Sequence, residues 1–74
     1  MAVASNTVVK LTVNLPQRVY QVLERLAKEQ STTKTETLRR AISTEAFRFG
    51  VEREGGHILV ERPDGKVERV NFPY

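Results

Sequence analysis

Lys10, Thr12 and Asn14 stand at alternate positions in the segment Val8-Val9-Lys10-Leu11-Thr12-Val13-Asn14-Leu15. An ammonium, a hydroxyl with a methyl, and an amide are three unlike hydrogen-bonding chemistries. Lysine suits guanine O6 and N7, and asparagine offers adenine N6 and N7 one acceptor and one donor. Threonine donates a hydrogen bond or presses its methyl against thymine. Val9, Leu11, Val13 and Leu15 fill the intervening positions. This period-two alternation predicts a half-buried strand with the polar trio on its open face. A two-stranded ribbon fits the DNA major groove, so base reading is the sharp expectation. A merely solvated strand face is the plain one.

A second set of residues surrounds Thr33-Lys34-Thr35-Glu36. The pattern is a capping box: the Thr33 hydroxyl is expected to accept from the backbone N–H of Glu36, and Glu36 to reach back to the N–H of Thr33. A helix starting there presents free amides and the positive end of its dipole, which suits a phosphate group. Thr33 and Thr35 hydroxyls and the Lys34 ammonium would add contacts. Arg39 and Arg40 one turn later, and Arg18 near the end of the strand, are further candidates for the phosphate backbone.

These groups need elements to hold them. Leu15-Pro16 suits a helix entrance, and Val19, Val22, Leu23, Leu26 and Ala27 give a helical stripe over about 17–29, with Tyr20 at its margin. A second helix follows Thr33, with Leu38, Ala41, Ile42, Ala46 and Phe49 on one face, ending before Gly55-Gly56. The two glycines read as a hinge. Beyond them, 57–61 and 67–72 have strand composition around Arg62-Pro63-Asp64-Gly65-Lys66, a strong hairpin turn with glycine at a left-handed bulge position. Phe47 falls off the main apolar face of the second helix and is expected to pack against the chain's own tail, which carries Phe72 and Tyr74; the alternative is that it marks a contact surface.

The chain has 74 residues, no cysteine, and a formal net charge of +3. The sequence pI is about 9.7. Residues 1–53 carry nine lysines and arginines against five glutamates, whereas 54–74 carry three basic against four acidic side chains. The basic bias thus falls on the part that would meet phosphate. So short a chain has little core to bury and no disulfide to supplement it, which points to oligomerisation. The first seven residues lack the basic start and apolar run of a signal peptide, and no stretch approaches a membrane span, so a cytoplasmic, membrane-free location is expected. No nucleophile–base pair or glycine-rich phosphate cradle is present, so no enzymatic activity and no cofactor are expected. His57 is the only histidine, and one such residue cannot close a metal site.

One lone strand leaves unpaired N–H and C=O groups along both edges. Two copies of residues 8–15, antiparallel across a two-fold axis, would pair them. With that step, strand, first helix, Thr33-Lys34-Thr35 turn and second helix resemble the ribbon-helix-helix fold, in the CopG-like branch of the MetJ/Arc superfamily, over roughly residues 8–50. The resemblance implies a mainly helical α+β homodimer whose intermolecular two-stranded antiparallel ribbon enters the operator major groove, with a C-terminal β-hairpin appended. Residues 1–7 would form a flexible arm, 8–54 the DNA-binding domain and 55–74 the hairpin extension.

On this resemblance Lys10, Thr12 and Asn14 occupy base-reading positions, and Thr33, Lys34 and Thr35 the phosphate-anchoring turn. The shared core of the dimer would be Leu11, Val13, Leu15, Val22, Leu26, Leu38 and Ile42. Family members often carry glycine near Ser31; without it the left-handed cap of the first helix falls to Gln30 or Ser31 at some strain, or the turn differs. The implied function is transcriptional repression, with double-stranded DNA as partner and the protein on the nucleoid when bound. The alternative is an antitoxin whose C-terminal segment binds a toxin protein; a third reading has the hairpin join dimers along DNA.

Overall fold

The computed structural model describes residues 7–73. Among them the chain is a small, mainly helical α+β fold: α1 (Gln17–Glu29), α2 (Lys34–Arg53), and a two-stranded antiparallel sheet of β1 (Leu59–Glu61) and β2 (Val67–Arg69). Pro16 precedes α1, its carbonyl accepting from the Tyr20 N–H at 3.0 Å. Residues 7–15 join neither a helix nor the sheet of their own chain, so any ladder along them needs a partner from outside it.

Both helices end in the same hydrogen-bonded cap. After α1, Thr32 N–H reaches Ala27 O and Ser31 N–H reaches Lys28 O, a Schellman motif with Ser31 at φ 53°. The strained left-handed position thus falls on Ser31, where glycine would be relaxed. After α2, Gly56 N–H reaches Val51 O and Gly55 N–H reaches Glu52 O, with Gly55 at φ 84°. The glycine pair expected as a hinge is therefore a bonded cap. A Cβ on Gly56 would stand 3.0 Å from Val51 Cγ1, a further reason for glycine there.

At the start of α2 half of the expected capping box forms. Thr33 Oγ1 accepts from Glu36 N–H at 3.0 Å, but the Glu36 carboxylate accepts from Arg39 at 2.7 Å instead of reaching back to Thr33. Two nearby guanidinium groups outcompete one backbone amide for that carboxylate. The hairpin turn forms as expected: Gly65 has φ 88°, Gly65 N–H reaches Arg62 O, and Arg62 N–H reaches Lys66 O at 2.7 Å. Its strands are shorter than expected, three residues each.

The core is thin. Leu23 and Ala27 are the buried apolar residues among those described, and the other buried side chains, Thr37 and Arg48, are polar. Thr37 and Arg48 lie about three turns apart on one line of α2. Its apolar stripe is turned elsewhere: Leu38, Ile42 and Phe49 are 42%, 65% and 53% exposed. The Thr37 hydroxyl donates to Thr33 O at 2.9 Å, and Arg48 donates to Glu45 and Glu52, which satisfies both polar groups.

The Arg48 guanidinium also lies 4.8 Å from the centre of the Phe72 ring, pinning the tail that follows the hairpin to α2. Phe72, not Phe47, is thus the aromatic that joins tail and helix. Phe47 is 66% exposed, so among the described residues it is not covered by the tail as expected. Tyr74 lies outside the described residues, as do the first six residues of the expected N-terminal arm. Among the described residues no helix is long and apolar enough to cross a membrane.

Candidate nucleic-acid interface

The segment before α1 runs along an open groove of about 760 Å³, whose lining includes Val9, Leu11, Val13, Leu15, Leu38 and Ile42. From Val9 onward the odd-numbered residues of the segment line it, as alternation requires, with Thr7 and Val8 beside them; the stripe of α2 supplies another wall, and Lys34, Thr35 and Arg39 at the start of α2 line it too. Yet the groove is unfilled: Val9, Leu11 and Val13 are 82%, 78% and 56% exposed. Of the expected dimer core, Leu15 and Leu26 are half-buried, while Leu11, Val13, Val22, Leu38 and Ile42 are exposed. Lys10, Thr12 and Asn14 are exposed as well and absent from the groove lining, the alternating arrangement that the pattern predicts.

The excess surface can be sized. A compact monomer of 8.4 kDa has an accessible surface of about 4,600 Å²; this chain exposes 7075 Å². Its radius of gyration is 15.9 Å, against about 11 Å for a compact domain of this length. The surplus is about 2,500 Å² per chain, or about 5,000 Å² for two chains, at the upper end of the total that obligate homodimers bury.

At the start of α2 the expected cations are present but engaged. Lys34 Nζ donates to the Tyr20 hydroxyl at 2.7 Å and stands 3.8 Å from Glu24. The bond to Tyr20, reinforced by Glu24, raises the Lys34 pKa above its ordinary value and keeps it charged. Arg39 and Arg40 share Glu36, at 2.7 and 3.6 Å, and Arg40 also donates to Gln30 at 2.9 Å. All three cations remain exposed. Thr33 and Thr35 flank Lys34 on the surface. Arg18 and Lys10, also exposed, make no ion pair among the described residues.

Sequence reasoning missed the residues that hold these cations. Tyr20 at the margin of the first helical stripe and a lysine opening the second helix were the available signals for the Tyr20–Lys34 bond. A lysine in the first turn opposes the helix dipole, and here Glu24 and Tyr20 offset that disadvantage. No protein-family model, curated protein or solved structure compared with the chain matches it.

Proposed function

We propose that this chain is a ribbon-helix-helix DNA-binding protein that represses transcription by occupying an operator as a homodimer. The groove carries this reading. Its apolar lining comes from Val8, the alternate residues from Val9 to Leu15 and the outer stripe of α2, and a second copy of the same segments is the complement that a two-fold axis would supply. Antiparallel pairing of two 8–15 segments gives the facing edge of each a ladder that the single chain does not provide. It also sets six polar side chains, Lys10, Thr12 and Asn14 from each copy, side by side. The operator is then short and roughly palindromic.

Within the dimer the labour divides. The ribbon side chains discriminate bases, while the two α2 starts, with Thr33, Lys34 and Thr35, fix the register on phosphates. Arg18, Arg39 and Arg40 add charge, and DNA phosphate competes with Glu36 for the last two. Selection of genomic fragments by the purified protein, followed by anisotropy titrations on the selected site, tests the reading. Asn14→Ala is expected to erase discrimination among operator variants and leave the dimer intact. Lys34→Ala is expected to weaken binding to every sequence and to flatten its salt dependence, by roughly one unit of slope for each phosphate no longer neutralised. Unchanged selectivity in Asn14→Ala refutes the ribbon assignment.

A further inference from the structure

The hairpin has two faces of different character. Register pairs Leu59 with Arg69 and Glu61 with Val67, so these four side chains share one face; Ile58, Val60 and Val70 belong to the other and are half-buried. On the outer face Leu59 and Val67 are 60% and 59% exposed. Glu61 and Arg69 are exposed too, and neither makes an ion pair among the described residues. By contrast Arg62 and Glu68, on the inner face, pair with each other at 2.8 Å.

The four outer residues occupy the corners of a rectangle. Adjacent strands are about 4.8 Å apart, and alternate residues along a strand about 6.8 Å. Leu59 and Val67 lie across one diagonal, Glu61 and Arg69 across the other. A face of this kind is complementary to itself in one arrangement. A two-fold axis along the apolar diagonal sets Leu59 on its own mate and Val67 on its own mate. It also sets Glu61 of each copy opposite Arg69 of the other. Axes parallel to the strands or directly across them would oppose apolar groups to charges. On these spacings the favoured axis lies about 35° from the strands, so the two hairpins cross at about 70°.

We propose that this outer hairpin face is a self-association surface, on which two copies of this chain cross at about 70° through paired Leu59 and Val67 and reciprocal Glu61–Arg69 ion pairs. It is separate from the groove, and it stands whether or not the protein binds DNA. Four side chains make a small contact, so the association is weak and is best trapped covalently.

The native chain has no cysteine, so single cysteines report without background. Under mild oxidation of the full-length protein, Leu59→Cys is expected to form an interchain disulfide. Glu61→Cys and Arg69→Cys are each expected to stay uncrosslinked alone but to crosslink when mixed, because that mixture retains the second Glu61–Arg69 pair. Lys66→Cys, outside the outer face, is the control. Adding Glu61→Arg to Leu59→Cys should slow crosslinking about tenfold, as attraction becomes repulsion at two places, and adding Arg69→Glu as well should restore it. Crosslinking of Leu59→Cys no faster than Lys66→Cys, absence of a mixed product, or failure of the double reversal to rescue overturns the proposal.

Discussion

Replacing Leu11 by alanine separates a chain that folds alone from one completed by its twin. In the single chain Leu11 is 78% exposed, and a substitution at such a surface position changes stability by about 0.5 kcal/mol at most. If a second copy fills the groove, the same leucine becomes core. Alanine removes three carbons, each worth about 0.8 kcal/mol when buried; scaled by the exposed fraction, this gives about 2 kcal/mol per protomer. The two-fold axis counts every substitution twice, so the dimer loses about 4 kcal/mol, more if a cavity persists. That is about three orders of magnitude in the dissociation constant. Sedimentation equilibrium over a wide concentration range measures it directly, and thermal melts at two concentrations check that folding and association are linked. Thr12→Ala, on the opposite side of the same segment, serves as the control and should leave association unchanged. A Leu11→Ala protein that associates within about threefold of the parent refutes the argument.

Ser31→Gly should stabilise the protein by about 1 kcal/mol, because serine holds a left-handed backbone at φ 53° that glycine adopts freely; denaturant midpoints at equal slope test it. Arg48→Met keeps the side-chain length but removes the donors to Glu45 and Glu52 and the cation over Phe72. It should free the tail, seen as loss of Phe72 ring-current shifts while α1 persists. The same latch should loosen in acid. Hydrogen bonding from Arg48 holds Glu45 below its ordinary value of 4.5, so its contribution is present above that value and lost as pH falls through the lowered one. Phe72 shifts that instead changed between pH 6 and 8 would contradict this.

Helix positions were legible because local signals agreed: Pro16 before Gln17, Thr33 before Lys34, and a glycine pair beyond Arg53 each mark a boundary seen in the chain. The turn at Pro63-Asp64-Gly65 was legible for the same reason, since its bonds are made within five residues. What escaped was the use of faces. Leu38 and Ile42 belong to the core expected to be shared between two copies and are exposed in the single chain, but nothing in the pattern marks the line of Thr37 and Arg48 as the side of α2 that is buried. Periodicity reports that a helix has an apolar side; it does not report which neighbour takes that side. Arg48 was illegible for a related reason. A guanidinium is buried only where carboxylates and a ring converge on it, and Phe72 lies 24 residues away in sequence.

The placement of charge sharpens what the proposed interface would do. Every expected phosphate-binding cation on α2 already has an acidic neighbour, Glu24 for Lys34 and Glu36 for Arg39 and Arg40. Exposed pairs of this kind are worth little in water, so a phosphate that receives two amides and an ammonium can displace them at small cost. Until then the carboxylates reduce the field around the site, and non-specific attraction to DNA is weaker than the count of basic residues implies. Lys10, without an acidic partner among the described residues, is held to no such condition. If the ribbon forms, its cations act at full strength where bases are read, and the helix starts contribute fully only once their phosphates are in register. On the proposed reading selectivity would therefore rest on geometry more than on net charge.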